Sequence, residues 1–91
     1  MKRNGRTVVT KVRREEIPGF SLVYTLYRTK PEGRSGYSWS VSVSITGEYG
    51  RETASASDLT RSRTEAERLF DLIADHTVTP CALKDVLEEL L

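Results

Sequence analysis

Between Tyr37 and Ile45 an apolar side chain stands at every odd position (Tyr37, Trp39, Val41, Val43, Ile45) and a serine at every even one (Ser38, Ser40, Ser42, Ser44). A period of two marks a strand with one face buried and the other open. Two earlier segments repeat it. In "FSLVYTLYRT", Phe20, Leu22, Tyr24 and Leu26 share a face opposite Ser21, Val23, Thr25 and Tyr27, and in "RTVVTKVRR" Val8, Thr10 and Val12 oppose Val9, Lys11 and Arg13. "RETASAS" forms a weaker fourth strand in which Ala54 and Ala56 alternate with Thr53, Ser55 and Ser57; side chains this small let a helix approach closely. Pro18-Gly19, Pro31 with Gly33, and the Gly47 to Gly50 connection around Tyr49 supply the turns. Links this short join antiparallel neighbours, because parallel pairing needs a crossover of about a dozen residues or more.

Past Ser57 the period changes. "SRTE", Ser62 to Glu65, has the spacing of a capping box. Ala66, Leu69, Phe70 and Ile73 then fall at helical intervals, widened by Leu72 and Ala74, with Glu67, Arg68, Asp71 and Asp75 turned to water. "HTVTP" ends this helix, Thr79 and Pro80 read as cap and first residue of the next, and Leu83, Val86, Leu87 and Leu90 carry the second stripe. The order β-β-β-β-α-α predicts an α+β domain: a four-stranded antiparallel sheet with two C-terminal helices packed on one face. Tyr37, Trp39, Val41, Val43 and Ile45 are expected to meet the helices. The serines are expected to point away, with nothing left in the chain to cover them.

Ninety-one residues support one core, so the chain reads as a single domain with residues 1–5 as a flexible arm, 6–57 as sheet and 62–91 as the helical pair. No apolar run approaches a membrane span and the start has no secretory pattern, which gives a cytoplasmic expectation. One cysteine and one histidine exclude an internal disulfide and a structural zinc site, and no metal or other cofactor is expected. The net charge of +1 conceals a division. Residues 1–51 hold ten basic against four acidic side chains, a net of +6, and residues 52–91 hold four against nine, a net of −5.

Three places invite a function. The serine face, with Tyr27, Ser38, Ser40, Ser42 and Ser44 and neighbours Val9, Val23, Lys11 and Arg13, offers another protein a surface of low relief. Lys2, Arg3 and Arg6 on the arm, with Arg28, Lys30 and Arg34 about the second turn, can hold phosphates by charge. His76 and Cys81, the single histidine and single cysteine, could supply a base and a thiol, but spacing provides neither an orienting group nor an oxyanion site, and a dipole-favoured helix end explains His76 more simply. Leu72, Leu90 and Leu91 mark either inter-helix packing or a homodimer contact.

The C-terminal half, "ASASDLTRSRTEAERLFDLIADHTVTPCALKDVLEELL", with its "SASDLT" step, "VTPCAL" turn and "DVLEELL" ending, resembles a family of short uncharacterised proteins of Gram-positive bacteria and their mobile elements, a domain of unknown function. The resemblance brings no activity or site residue. Small size, the lack of a catalytic constellation and that setting lead to an expected non-enzymatic binding module. It would regulate or inhibit a larger bacterial protein by protein-protein contact, for instance as a mobile-element inhibitor of a host defence nuclease or nuclease-RNA complex in the manner of anti-CRISPR proteins. The alternative is a nucleic-acid-binding protein using the basic arm and the β2-β3 loop.

Overall fold

The computed structural model describes residues 5–31, 33 and 36–91; for Gly5, Arg6 and Pro31 it describes the backbone alone. The sheet runs β1 (Gly5–Ile17), β2 (Phe20–Pro31), β3 (Ser38–Gly47) and β4 (Gly50–Thr60), in that spatial order and antiparallel throughout. Two helices follow, α1 (Arg63–Asp75) and α2 (Leu83–Leu90), the latter led in by a 3-10 turn at Pro80–Ala82. The predicted order, architecture and class all hold.

One layer of core joins sheet to helices. Leu22, Tyr24 and Leu26 of β2 and Trp39, Val41 and Val43 of β3 are buried against Ala66, Phe70, Ile73 and Ala74 of α1, with Val78, Leu83 and Leu87 in the same cluster. The phenol of Tyr24 donates to the Val78 carbonyl at 3.0 Å, which latches the inter-helix turn to the sheet. That turn is a Schellman motif: with His76 at the C-cap and Thr77 left-handed at φ 52°, the Thr77 N–H reaches Ala74 O (3.2 Å) and the Val78 N–H reaches Ile73 O (3.1 Å). At the start of α1 half of the expected capping box forms. Ser62 Oγ accepts from the Glu65 N–H at 3.2 Å, while the Glu65 carboxylate turns to Arg68 and the Ser62 N–H goes to Thr60 Oγ1.

The structure departs from the sequence reading in three places. Tyr37 precedes β3 and stays 40% exposed, its ring stacked under the Arg28 guanidinium at 4.3 Å, so it covers the end of the core rather than entering it. β4 runs on to Thr60 through an irregularity: Ala56 pairs with Val41 and Thr60 with Trp39, so β4 spends two more residues than β3 over that interval, around Asp58 at φ 54°. Aspartate is among the few non-glycine residues that tolerate this conformation. β1 carries a bulge, because Val9 pairs with Tyr27 but Lys11 with the next residue down β2, Leu26. The extra residue reverses the alternation. Lys11, Arg13 and Glu15 fall on the helix side with Leu26, Tyr24 and Leu22, and Val12 and Arg14 join Val9 on the other side.

Candidate functional site

The two charge-divided halves meet across the bulge. Lys11 Nζ lies 3.0 Å from Asp71 Oδ1 and 5.6 Å from the Phe70 ring centroid, and Arg13 Nη1 lies 2.7 Å from Asp75 Oδ1. Asp75 is the largest influence holding the Arg13 guanidinium above its ordinary pKa, with Glu15 adding to it. Basic strand and acidic helix are thus complementary surfaces within one molecule, and Lys11 and Arg13 are absent from the serine side where the uninterrupted alternation would put them.

The side of the sheet away from the helices is built from cross-strand rows. Val9, Tyr27 and Ser40 make the first. Val12, Thr25, Ser42 and Ser55 make the second, and Arg14, Val23, Ser44 and Thr53 the third. Glu16, Ser21, Thr46 and Arg51 close the far end. Among the described residues no element covers this face. Its apolar groups gather on β1 and β2, where Val9 (52%) and Val12 (45%) are exposed, while β3 and β4 present hydroxyls.

The serines are the short members of these rows, and that gives the face its relief. Ser42 is only 9% exposed although no described element covers it; Thr25 on β2 and Ser55 on β4 flank it directly. The result is a shallow trough of about 440 Å³ with Ser42 and Ser44 as floor, Val23, Thr25 and Tyr27 as one wall, and Arg51, Thr53 and Ser55 as the other. Ser44 and Thr53 share a hydrogen bond at 2.8 Å across floor and wall. At the upper end Ser38 Oγ donates to Asp58 Oδ1 (2.7 Å) and the Asp58 N–H donates to Ser40 Oγ (3.2 Å). Ser38, 6% exposed, and Ser40 therefore pin the β4 irregularity. Asp58 is a residue sequence reasoning did not single out; its one signal was its place in the "SASDLT" step.

Of the basic candidates, Arg28 and Lys30 lie wholly within the described residues, and they share one side of β2. Arg28 pairs with Trp39 and so belongs to the helix side of the sheet, opposite to Tyr27; its Nε is buried with no hydrogen-bond partner among the described residues. Lys30, two residues on, shares that side and is exposed. Lys2, Arg3 and Arg34 lie outside the described residues, as does the side chain of Arg6. His76 caps α1 and is exposed; Cys81 is exposed in the 3-10 turn, its Sγ 3.9 Å from Thr79 Oγ1. Among the described residues no group of three or more His, Cys, Asp or Glu is placed to hold a metal ion, and no helix is long and apolar enough to cross a membrane.

No curated protein and no solved structure matches the chain. A family profile does, from residue 5 to residue 91, so the kinship read from the C-terminal half extends over β1 and β2 as well. The family is described without an activity. The chain belongs to the family of unknown function DUF6514.

Proposed function

We propose that the protein is a non-enzymatic binding module that seats a helix of a larger protein in the trough of its open sheet face and regulates that protein by occupying the helix. The trough carries the reading. Its walls rise from β2 and β4, two strand spacings apart, which is about 9.6 Å. The wall side chains narrow that span below the roughly 10 Å of a whole α-helix, so one row of the helix's side chains enters the trough and the helix body rests on its walls. Floor and walls are hydroxyl and apolar, with Arg51 as the one charged group lining them. The partner helix that fits has small or apolar residues on the docking side and little charge. Duplex or single-stranded nucleic acid would need a run of cations along this face, and the bulge has moved Lys11 and Arg13 off it.

The test is retention of a partner on the immobilised protein at physiological salt, with and without nuclease, beside two variants at exposed positions of the trough, Thr46→Arg and Ser55→Arg, and one on the outside of α2, Glu89→Arg. The expected partner survives nuclease, is lost to both trough variants and is kept by Glu89→Arg. A partner that disappears with nuclease, or that binds the trough variants as well as the parent, overturns the proposal.

A further inference from the structure

A different surface, the free edge of β1, points to a second copy of this chain. β1 is hydrogen-bonded to β2 alone, and along its thirteen residues the outer backbone donors and acceptors face no other described element. An edge of this length is a template for another strand unless charge guards it. Two of its cations, Lys11 and Arg13, are drawn inward to Asp71 and Asp75. Three of the seven large apolar side chains left exposed among the described residues lie on this strand, Val9 and Val12 on its open face and Val8 on the other.

We infer that two copies pair β1 against β1, antiparallel, about a two-fold axis between Thr10 and Lys11, joining their sheets into one of eight strands. Directly opposed residues in a sheet must share a face. With the bulge included, this register meets the requirement: Val9 stands opposite the second copy's Val12, Val8 opposite its Arg13 and Thr7 opposite its Arg14, each pair on one side. Arg6 falls opposite Glu15 of the second copy. Registers centred on Lys11, Arg13, Arg14 or Glu15 set a charge against its own twin, and one centred on Val12 sets Lys11 against Arg13; like charges directly opposed are unfavourable. A register centred on Val8 avoids that clash but pairs only a short piece of the strand. The bulge-centred one extends over residues 5–16 of each copy. Four valines, two from each copy, then close over the seam on the open face, and the two troughs lie on one continuous surface.

The first measurement is mass in solution by light scattering at about 50 μM protein, a concentration suited to an interface of this modest size. The result expected is twice the 10.3 kDa chain, falling to one chain in Val9→Lys/Val12→Lys with unchanged circular dichroism. Register is read separately by disulfide trapping in a Cys81→Ser background. Val9→Cys combined with Val12→Cys is expected to give a covalent dimer under mild oxidation, while each single substitution gives none, since each cysteine then faces a valine. The two positions cannot bridge within one chain, being roughly 10 Å apart along the strand. A single-chain mass in the parent, a dimer that survives the lysine pair, or trapping by Arg14→Cys or Glu15→Cys alone overturns the inference.

Discussion

Thr77 holds a left-handed backbone, φ 52°, at the position after the C-cap of α1 where helices ordinarily place glycine. The conformation is fixed by two bonds around it, Thr77 N–H to Ala74 O and Val78 N–H to Ile73 O, and by burial of Val78 beside Ile73. The Thr77 side chain is exposed and makes no hydrogen bond among the described residues, so nothing offsets the steric penalty of its Cβ. That penalty is roughly 1–2 kcal/mol for an L-residue. Replacing Thr77 with glycine removes it but enlarges the unfolded ensemble, which returns about 0.5–1 kcal/mol. The net expectation for Thr77→Gly is about 0.5–1 kcal/mol of added stability. For a domain of this size that raises Tm by roughly 2–8 °C. Thermal and urea unfolding followed by circular dichroism measure it, with Thr77→Ala as control, since alanine keeps the Cβ and should move stability by less than about 0.5 kcal/mol. An unchanged or lowered Tm in Thr77→Gly, or an equal gain from alanine, would refute the reasoning that backbone strain at this residue is uncompensated.

The other left-handed residue should respond with the opposite sign. Asp58→Gly relieves the same strain but strips the buried Ser38 hydroxyl of its acceptor; leaving such a group unpaired costs about 1–3 kcal/mol, so a net loss of roughly 1 kcal/mol in urea unfolding is expected. Tyr24→Phe removes the bond to the Val78 carbonyl from a fully buried site and should lower stability by about 1–2 kcal/mol, read from the denaturation midpoint. It should also change the alkaline limb. Burial is the first cause raising the Tyr24 pKa above its ordinary 10.0, with Glu15 adding to it. The folded state therefore keeps a proton that the unfolded chain releases, and stability falls as pH rises past about 10, less steeply in the phenylalanine variant. A double-mutant cycle on Lys11→Met and Asp71→Asn should give a coupling of about 0.2–1 kcal/mol that shrinks in high salt, because both side chains are more than a third exposed. A coupling near zero, with Lys11→Met still destabilising, would show that Lys11 acts through its contact with Phe70 instead.

Much of this fold can be read from local pattern, and the parts that cannot are those decided by a partner strand. β2 and β3 alternate without interruption, and of the apolar face read from that alternation Leu22, Tyr24, Leu26, Trp39, Val41 and Val43 are in the core, Ile45 is partly buried against it, and Phe20 at the start of β2 is 47% exposed. Ser62 and Pro80 sit where capping chemistry places them. The bulge in β1 is different in kind. "TVVTKV" alternates equally well with or without an extra residue, so only its pairing with β2, valines beside Tyr27 and cations beside the acidic helix, settles where the insertion goes. Tyr37 continues the apolar period of β3 but has Arg28 within stacking reach, and no count along the chain contains that neighbour. The serine side was visible as a face; its trough was not, because depth comes from the height of residues on β2 and β4 relative to serines on β3.

These features together explain why the charge division in the sequence does not become a basic surface on the open face. Were Thr10 paired regularly with Leu26 instead of bulged, Lys11 and Arg13 would follow Val9 onto the open face, beside Thr25 and Val23, and would line it with cations. Asp71 and Asp75 would then face Val12 and Arg14. With the bulge, each of the two cations meets a carboxylate of α1, and their places on the open face pass to Val12 and Arg14. Arg14 lies two residues from Glu16 on the same side, where the Glu16 carboxylate accepts from Ser21. The bulging of Thr10 thus decides between a face lined with cations and one of valine, tyrosine and hydroxyls with few charges. The described structure has the second arrangement, with Lys11 and Arg13 of the basic half paired to Asp71 and Asp75 of α1.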